Sequence, residues 1–117
     1  MILKEIKGIT LSLMKKDTDI KDGKAEYIKK KSAKFVVPKD YILDTTIVEH
    51  LVTNMFNDLN DNEPKDVDSL GIWIQHNNGE IIDNSISLRT LDSIQEYSKQ
   101  PVNPIYEFFK MTLNVND

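Results

Sequence analysis

Val48, Leu51, Val52, Met55, Phe56 and Leu59 recur at i, i+3, i+4, i+7, i+8 and i+11. Only an α-helix gathers that spacing into a single apolar stripe. The stripe predicts a helix over 46–60. Thr46-Ile47-Val48-Glu49 fits a capping box: the Thr46 hydroxyl can accept the amide of Glu49, and Glu49 can reach back to the amide of Thr46. Asp44 is a competing N-cap. One apolar stripe needs a surface to cover, and the segments on either side supply sheet.

Residues 2–16 read as a strand, because Ile9, Leu11 and Leu13 alternate with Thr10 and Ser12. Gly8 interrupts the pattern and marks a candidate bulge. A polar loop closes on the turn pair Asp22-Gly23. Residues 25–37 read as a second strand whose parity slips between Ile28 and Phe35. A bulge within Lys29-Lys30-Lys31 would restore one face. The loop is too short for a crossover helix, so residues 1–37 form an antiparallel hairpin.

Beyond the helix, 57–69 is polar and contains Pro64. Residues 70–76 and 80–88 read as strands joined at Asn78-Gly79, a two-residue hairpin signal in which both turn positions take positive φ. Thr90 to Gln100 reads as a short helix, with Leu91, Ile94 and Tyr97 spaced by three and Pro101 ending it. Asn103-Pro104 is a good helix start. Phe109, Met111, Leu113 and Val115, however, alternate with polar residues, and this pattern favours a final strand over 106–115. The expectation is an α+β fold: a single domain over 1–117, mainly antiparallel sheet with two helices, in the order ββαββαβ.

Composition narrows the function classes. A chain of 117 residues suits one domain. With 39% hydrophobic residues it has enough apolar side chains to form a core. It has no cysteine, which excludes a disulfide scaffold, thiolate zinc and thiol catalysis. No apolar run approaches the ~18–20 residues of a membrane span. Met1 to Glu5 lacks a basic region followed by an apolar stretch, so no signal peptide is expected and a cytoplasmic location is. High Lys, Asn and Ile usage fits an AT-rich genome.

The net charge of −4 is unevenly distributed: residues 1–39 carry +6 and residues 40–117 carry −10. Such asymmetry hints at a charged partner. The plainer account is that the halves fold together, with basic strands beside acidic segments. Arg89 is the only arginine, which argues against a reader of base edges, because that work favours the bidentate guanidinium.

Catalytic and metal signatures are weak. The loop from Asp17 fails the EF-hand pattern at Lys21, Asp22 and Ile28, and the one from Asp58 fails at Glu63 and Ser69. His50 and His76 stand in no metal spacing. No Gly-x-Ser-x-Gly turn or glycine-rich phosphate loop occurs. The expectation is a protein without enzymatic activity, metal or cofactor.

Two surfaces remain as candidates. Trp73 has the opposite parity to Leu70, Ile72 and Ile74. It therefore packs under a helix or anchors a partner from an exposed sheet face. Tyr106 and Phe108 belong to a tail too aromatic for one strand face. With the acidic Asp58, Asp61, Glu63, Asp66 and Asp68, these residues suggest contact with another protein. The function expected is that of a regulator or inhibitor of the kind common on phages and mobile elements. The second surface is Lys24, Tyr27, Lys29, Lys30, Lys31 and Lys34, where aromatic and cationic groups interleave as in single-stranded nucleic-acid binders. The bland account of these lysines is a solvated edge strand kept from aggregating. A third reading is a self-associating component of a virion or secretion assembly.

Overall fold

A computed structural model describes residues 3–17, 26–61, 66–96, 98 and 101–113. Four strands form one antiparallel sheet: β1 (Ile6–Asp17), β2 (Glu26–Val36), β3 (Ser69–His76) and β4 (Ile81–Ser87), in spatial order β2-β1-β3-β4. Among the described residues three α-helices accompany it: α1 (Thr45–Asn60), α2 (Leu88–Glu96) and α3 (Pro104–Leu113). The α+β class is as expected. The order is ββαββαα, because the tail is a helix rather than a strand.

The sheet separates its two faces by parity. Ile9, Leu11 and Leu13 of β1 and Leu70, Ile72 and Ile74 of β3 are fully buried against Val48, Val52, Met55 and Leu59 of α1, Leu91 of α2, and Ile105, Phe108 and Phe109 of α3. Each strand turns alternate side chains to this helix layer. Both expected bulges are present. The register against β3 shifts between Ile6 and Gly8. Against β2 it jumps so that Leu13 faces Lys31 while Met14 faces Lys29, leaving Lys30 as the extra residue.

Asp44, rather than Thr46, caps α1: its carboxylate accepts from the Ile47 amide at 2.8 Å. The helix therefore starts at Thr45, one residue ahead of the expected span. Asp44→Ala is expected to cost about 1 kcal/mol, the usual cost of losing an N-cap, read as a lower urea midpoint. In α2, the Ser87 hydroxyl accepts from the Thr90 amide at 3.0 Å, so this helix also begins ahead of its expected start. Tyr97, in its expected stripe, lies outside the described residues.

The β3–β4 turn differs from the two-residue form. Gly79 alone of the pair has positive φ, +89°, and its amide bonds the His76 carbonyl at 3.0 Å, while the His76 amide bonds Glu80. This is a three-residue loop, a tight turn followed by a left-handed glycine. The Asn78 side chain accepts from the Glu80 amide instead of adopting the left-handed region.

Asn103 decides the fate of the tail. Its Oδ1 accepts from the amides of Ile105 and Tyr106, at 3.1 and 3.3 Å. Pro104 takes the first helical position, where a missing N–H costs nothing. The Asn103 amide group also donates to Thr53 Oγ1 of α1 at 2.7 Å, tying the two helices together. Ile105, Phe108, Phe109 and Thr112 are then buried at i, i+3, i+4 and i+7.

Candidate functional site

The second face of the sheet is not covered by any helix among the described residues. Register pairs Thr10 with Lys34, Ser12 with Ser32, Met14 with Lys29 and Lys16 with Tyr27. On the other side Trp73 faces Thr10 and Asp83, and Gly71 faces Ser12 and Ser85. All these residues therefore share the open face. A concavity of about 350 Å³ lies there, lined by Met14, Tyr27, Lys29, Trp73, Asp83 and Ser85, with Asn84 at its margin.

Trp73 is half-buried and lies flat across the strand. Its six-membered ring occupies the space above Gly71: a Cβ at that glycine would stand 2.7 Å from the indole Cη2 and 2.8 Å from Met14 Cε. Gly71 thus forms the notch that seats the ring. Lys29 reaches in from β2, placing Nζ 4.2 Å from the ring centroid. Such a cation–π contact is worth only ~0.5–1 kcal/mol at an exposed site. An incoming group can displace the ammonium at little cost. Beneath this layer, Met14 is buried and the Ser12 and Ser32 hydroxyls bond each other at 2.8 Å.

The lysine run does not form one surface. Lys29 and Lys34 lie on the open face with Tyr27. Lys31 turns to the helix side and donates to the carbonyls of Asp58 and Asp61 at the C-terminal end of α1, at 3.2 and 3.5 Å, a favourable place for a cation. Lys30, at the bulge, pairs with Asp66 at 3.9 Å. Lys24 lies outside the described residues.

The acidic candidates also separate from Trp73. Asp58 and Asp61 are exposed at the end of α1. Asp66, in the left-handed region at φ 63°, pairs with Lys15 at 3.6 Å. Asp68 meets Lys15 at 3.6 Å and accepts from the Lys16 amide and the Ser69 hydroxyl. Glu63 lies outside the described residues. The opposite charges of the two halves of the chain thus meet within the fold, as the plainer account of the charge split has it.

Burial alone would raise the Asp68 pKa. The bonds from Ser69 and Lys16 and the nearby Lys15 ammonium outweigh it, holding the carboxyl below its ordinary 3.8. A lowered folded-state value means that Asp68 stabilises the fold above pH ~3.8 and loses that contribution as pH falls through the folded value. Asp68→Asn is expected to lower stability near neutral pH by at most about 1 kcal/mol, since the pair is solvent-screened. The difference from the native chain should shrink in acid, as read by urea midpoints at about pH 7 and about pH 3.

Phe108 is 1% exposed. As a helical residue it points into the core, so it offers no surface to a partner. Tyr106 is half-buried, stacked on Phe109 at 6.3 Å with Lys110 5.0 Å above it. His50 is exposed on α1, and His76 is half-buried with Nε2 enclosed and unbonded. Among the described residues, no group of three or more His, Asp or Glu is placed to hold a metal ion, and no helix is long and apolar enough to cross a membrane. The calcium-loop candidate from Asp17 falls largely outside the described residues, as do Asn62 and Glu63 of the other.

Sequence reasoning passed over Met14, Gly71, Asp83 and Lys16. The signal for Gly71 was available: a glycine two residues from a tryptophan on one strand leaves room for the ring to lie down. Met14 has the parity opposite to Leu11 and Leu13, which places it with Trp73. No family model, curated protein or solved structure matches the chain.

Proposed function

We propose that this chain is a non-enzymatic binding module that acts by surface contact with another protein, as a regulator or inhibitor, through the open sheet face around Trp73. A cytoplasmic setting belongs to the same proposal. The observation that carries it is the seating of the only tryptophan, half-buried on a sheet face that no described helix covers. Large aromatics of this kind, held in place before a partner arrives, dominate contact energies. The surroundings suit a protein partner. Tyr27, 39% exposed, extends the apolar area, while Lys29 and Asp83 offer one charge of each sign for polar contacts at the rim.

A second reading has a specific observation behind it. Lys16, Lys29 and Lys34 share the open face with Tyr27 and Trp73, an arrangement that could stack bases and hold phosphates. Two features weigh against it. Asp83 stands beside the stacking ring, and Lys30 and Lys31 are drawn away to the helix side.

The test is affinity capture from host lysate with the native chain and with Trp73→Ala, each with and without nuclease. A stoichiometric protein retained by the native chain after nuclease, and lost with Trp73→Ala, supports the proposal. Retention that vanishes with nuclease replaces it with the nucleic-acid reading. A protein held equally by both chains places the contact elsewhere.

A further inference from the structure

A second concavity, of about 390 Å³, shares no lining residue with the Trp73 site. Three lysines meet there from three separate segments: Lys4 from the turn before β1, Lys7 from the bulge of β1, and Lys39 from the loop between β2 and α1. Ile6 and Val37 line it below, and Tyr41, 46% exposed, stands beside it. Asp40, at φ 65°, is the only carboxylate among its described lining residues. Among the described residues none of the three ammoniums forms an ion pair, whereas Lys15, Lys30 and Lys110 all do.

Three ammoniums against one carboxylate leave the rim of the hollow with an excess of positive charge. The bulge at Lys7 is a device that re-aims a side chain, and bulges concentrate beside binding sites. Asp40 takes the left-handed region within the turn that the Tyr41 amide closes on the Pro38 carbonyl at 3.1 Å, a position Asp tolerates, and this turn brings Lys39 and Tyr41 to the same hollow. The hollow combines a cationic rim, an apolar floor and an exposed phenol ring.

We propose that this hollow binds a phosphate ester carrying a planar ring, with Lys4, Lys7 and Lys39 on the phosphates and Tyr41 against the ring. The chemistry is that of a free nucleotide or of a phosphorylated nucleic-acid end. This site is independent of the Trp73 contact surface.

The experiment is a titration of the 15N-labelled chain with ADP, inorganic pyrophosphate, adenosine and a short 5′-phosphorylated oligothymidylate, followed by amide shifts. ADP is expected to shift the amides of Lys7, Val37, Lys39 and Tyr41 and to leave those of Trp73 and Asp83 in place. Pyrophosphate is expected to bind more weakly at the same amides, and adenosine more weakly still. Each of Lys7→Gln and Lys39→Gln should weaken ADP about tenfold, the effect of losing one charge-assisted contact. Both residues are exposed, so the variants should keep the native spectrum elsewhere. Tighter binding of the oligonucleotide than of ADP, at these same amides, would assign the ester to a nucleic-acid end. No shifts at millimolar ADP, shifts spread over all surface lysines, or native-strength ADP binding by both variants would overturn the proposal.

Discussion

Phe109→Ala is expected to lower stability by about 3–5 kcal/mol, the cost of emptying an aromatic site that cannot collapse. Small domains have only ~5–15 kcal/mol in total, so the variant should lose a large share of its urea resistance. Phe109 is fully buried beneath the stacked Tyr106 ring. Met111, two residues on, is 59% exposed, and Met111→Ala should change stability by less than about 0.5 kcal/mol. The contrast tests the element itself. In a strand, residues 109 and 111 share a face and both substitutions would be costly. In a helix they point about 200° apart, so only the first matters. Comparable losses from the two variants would contradict the helix.

Trp73→Ala is expected to weaken partner binding by at least 2 kcal/mol, about thirtyfold, as anchoring tryptophans do. The fold should survive, because Trp73 packs on the face away from the core and its loss removes only a half-buried ring. Gly71→Ala offers a second approach. The added methyl would meet the indole Cη2 at 2.7 Å and Met14 Cε at 2.8 Å, so the ring must rise from its notch. The expected result is a red-shifted Trp73 emission and weaker binding, with the ring still present. Overpacking costs about 1–3 kcal/mol where neighbours are fixed, and less here because the ring borders solvent. Unchanged binding by both variants would remove Trp73 from the contact surface.

Much of the fold was legible because its core follows simple periods. The α1 stripe, the alternation in β1 and β3, and the bulge at Lys30 all follow from side-chain spacing. The tail was misread for a physical reason. Phe109, Met111 and Leu113 do alternate, but the helix is set by Asn103, whose side chain satisfies two orphan amides and anchors on Thr53, 50 residues away. A local pattern could not show that partner. The N-terminal shift of α1 has a similar origin, since Asp44 and Thr46 offered rival caps and only the approach of the chain decides between them.

The candidate site was legible only in part. Parity put Trp73 opposite the isoleucines, and Lys29 and Tyr27 lay within the aromatic-cationic run. Grouping Trp73 with the acids of 58–68 was not supported by geometry, because Asp66 and Asp68 hold the lysines of β1 and β2. Parity within β1 already set Met14 on the open face, but Asp83 could join the site only through strand register, which depends on pairings between distant segments.

The division of labour between the two sheet faces has an evolutionary consequence. The residues that specify the fold lie on the helix side, while Thr10, Lys34 and Ser85 lie on the other. Substitutions among the latter leave the core untouched and need not be matched by compensating changes within it. The face proposed for contact can therefore change its chemistry in single steps, without first passing through unstable intermediates.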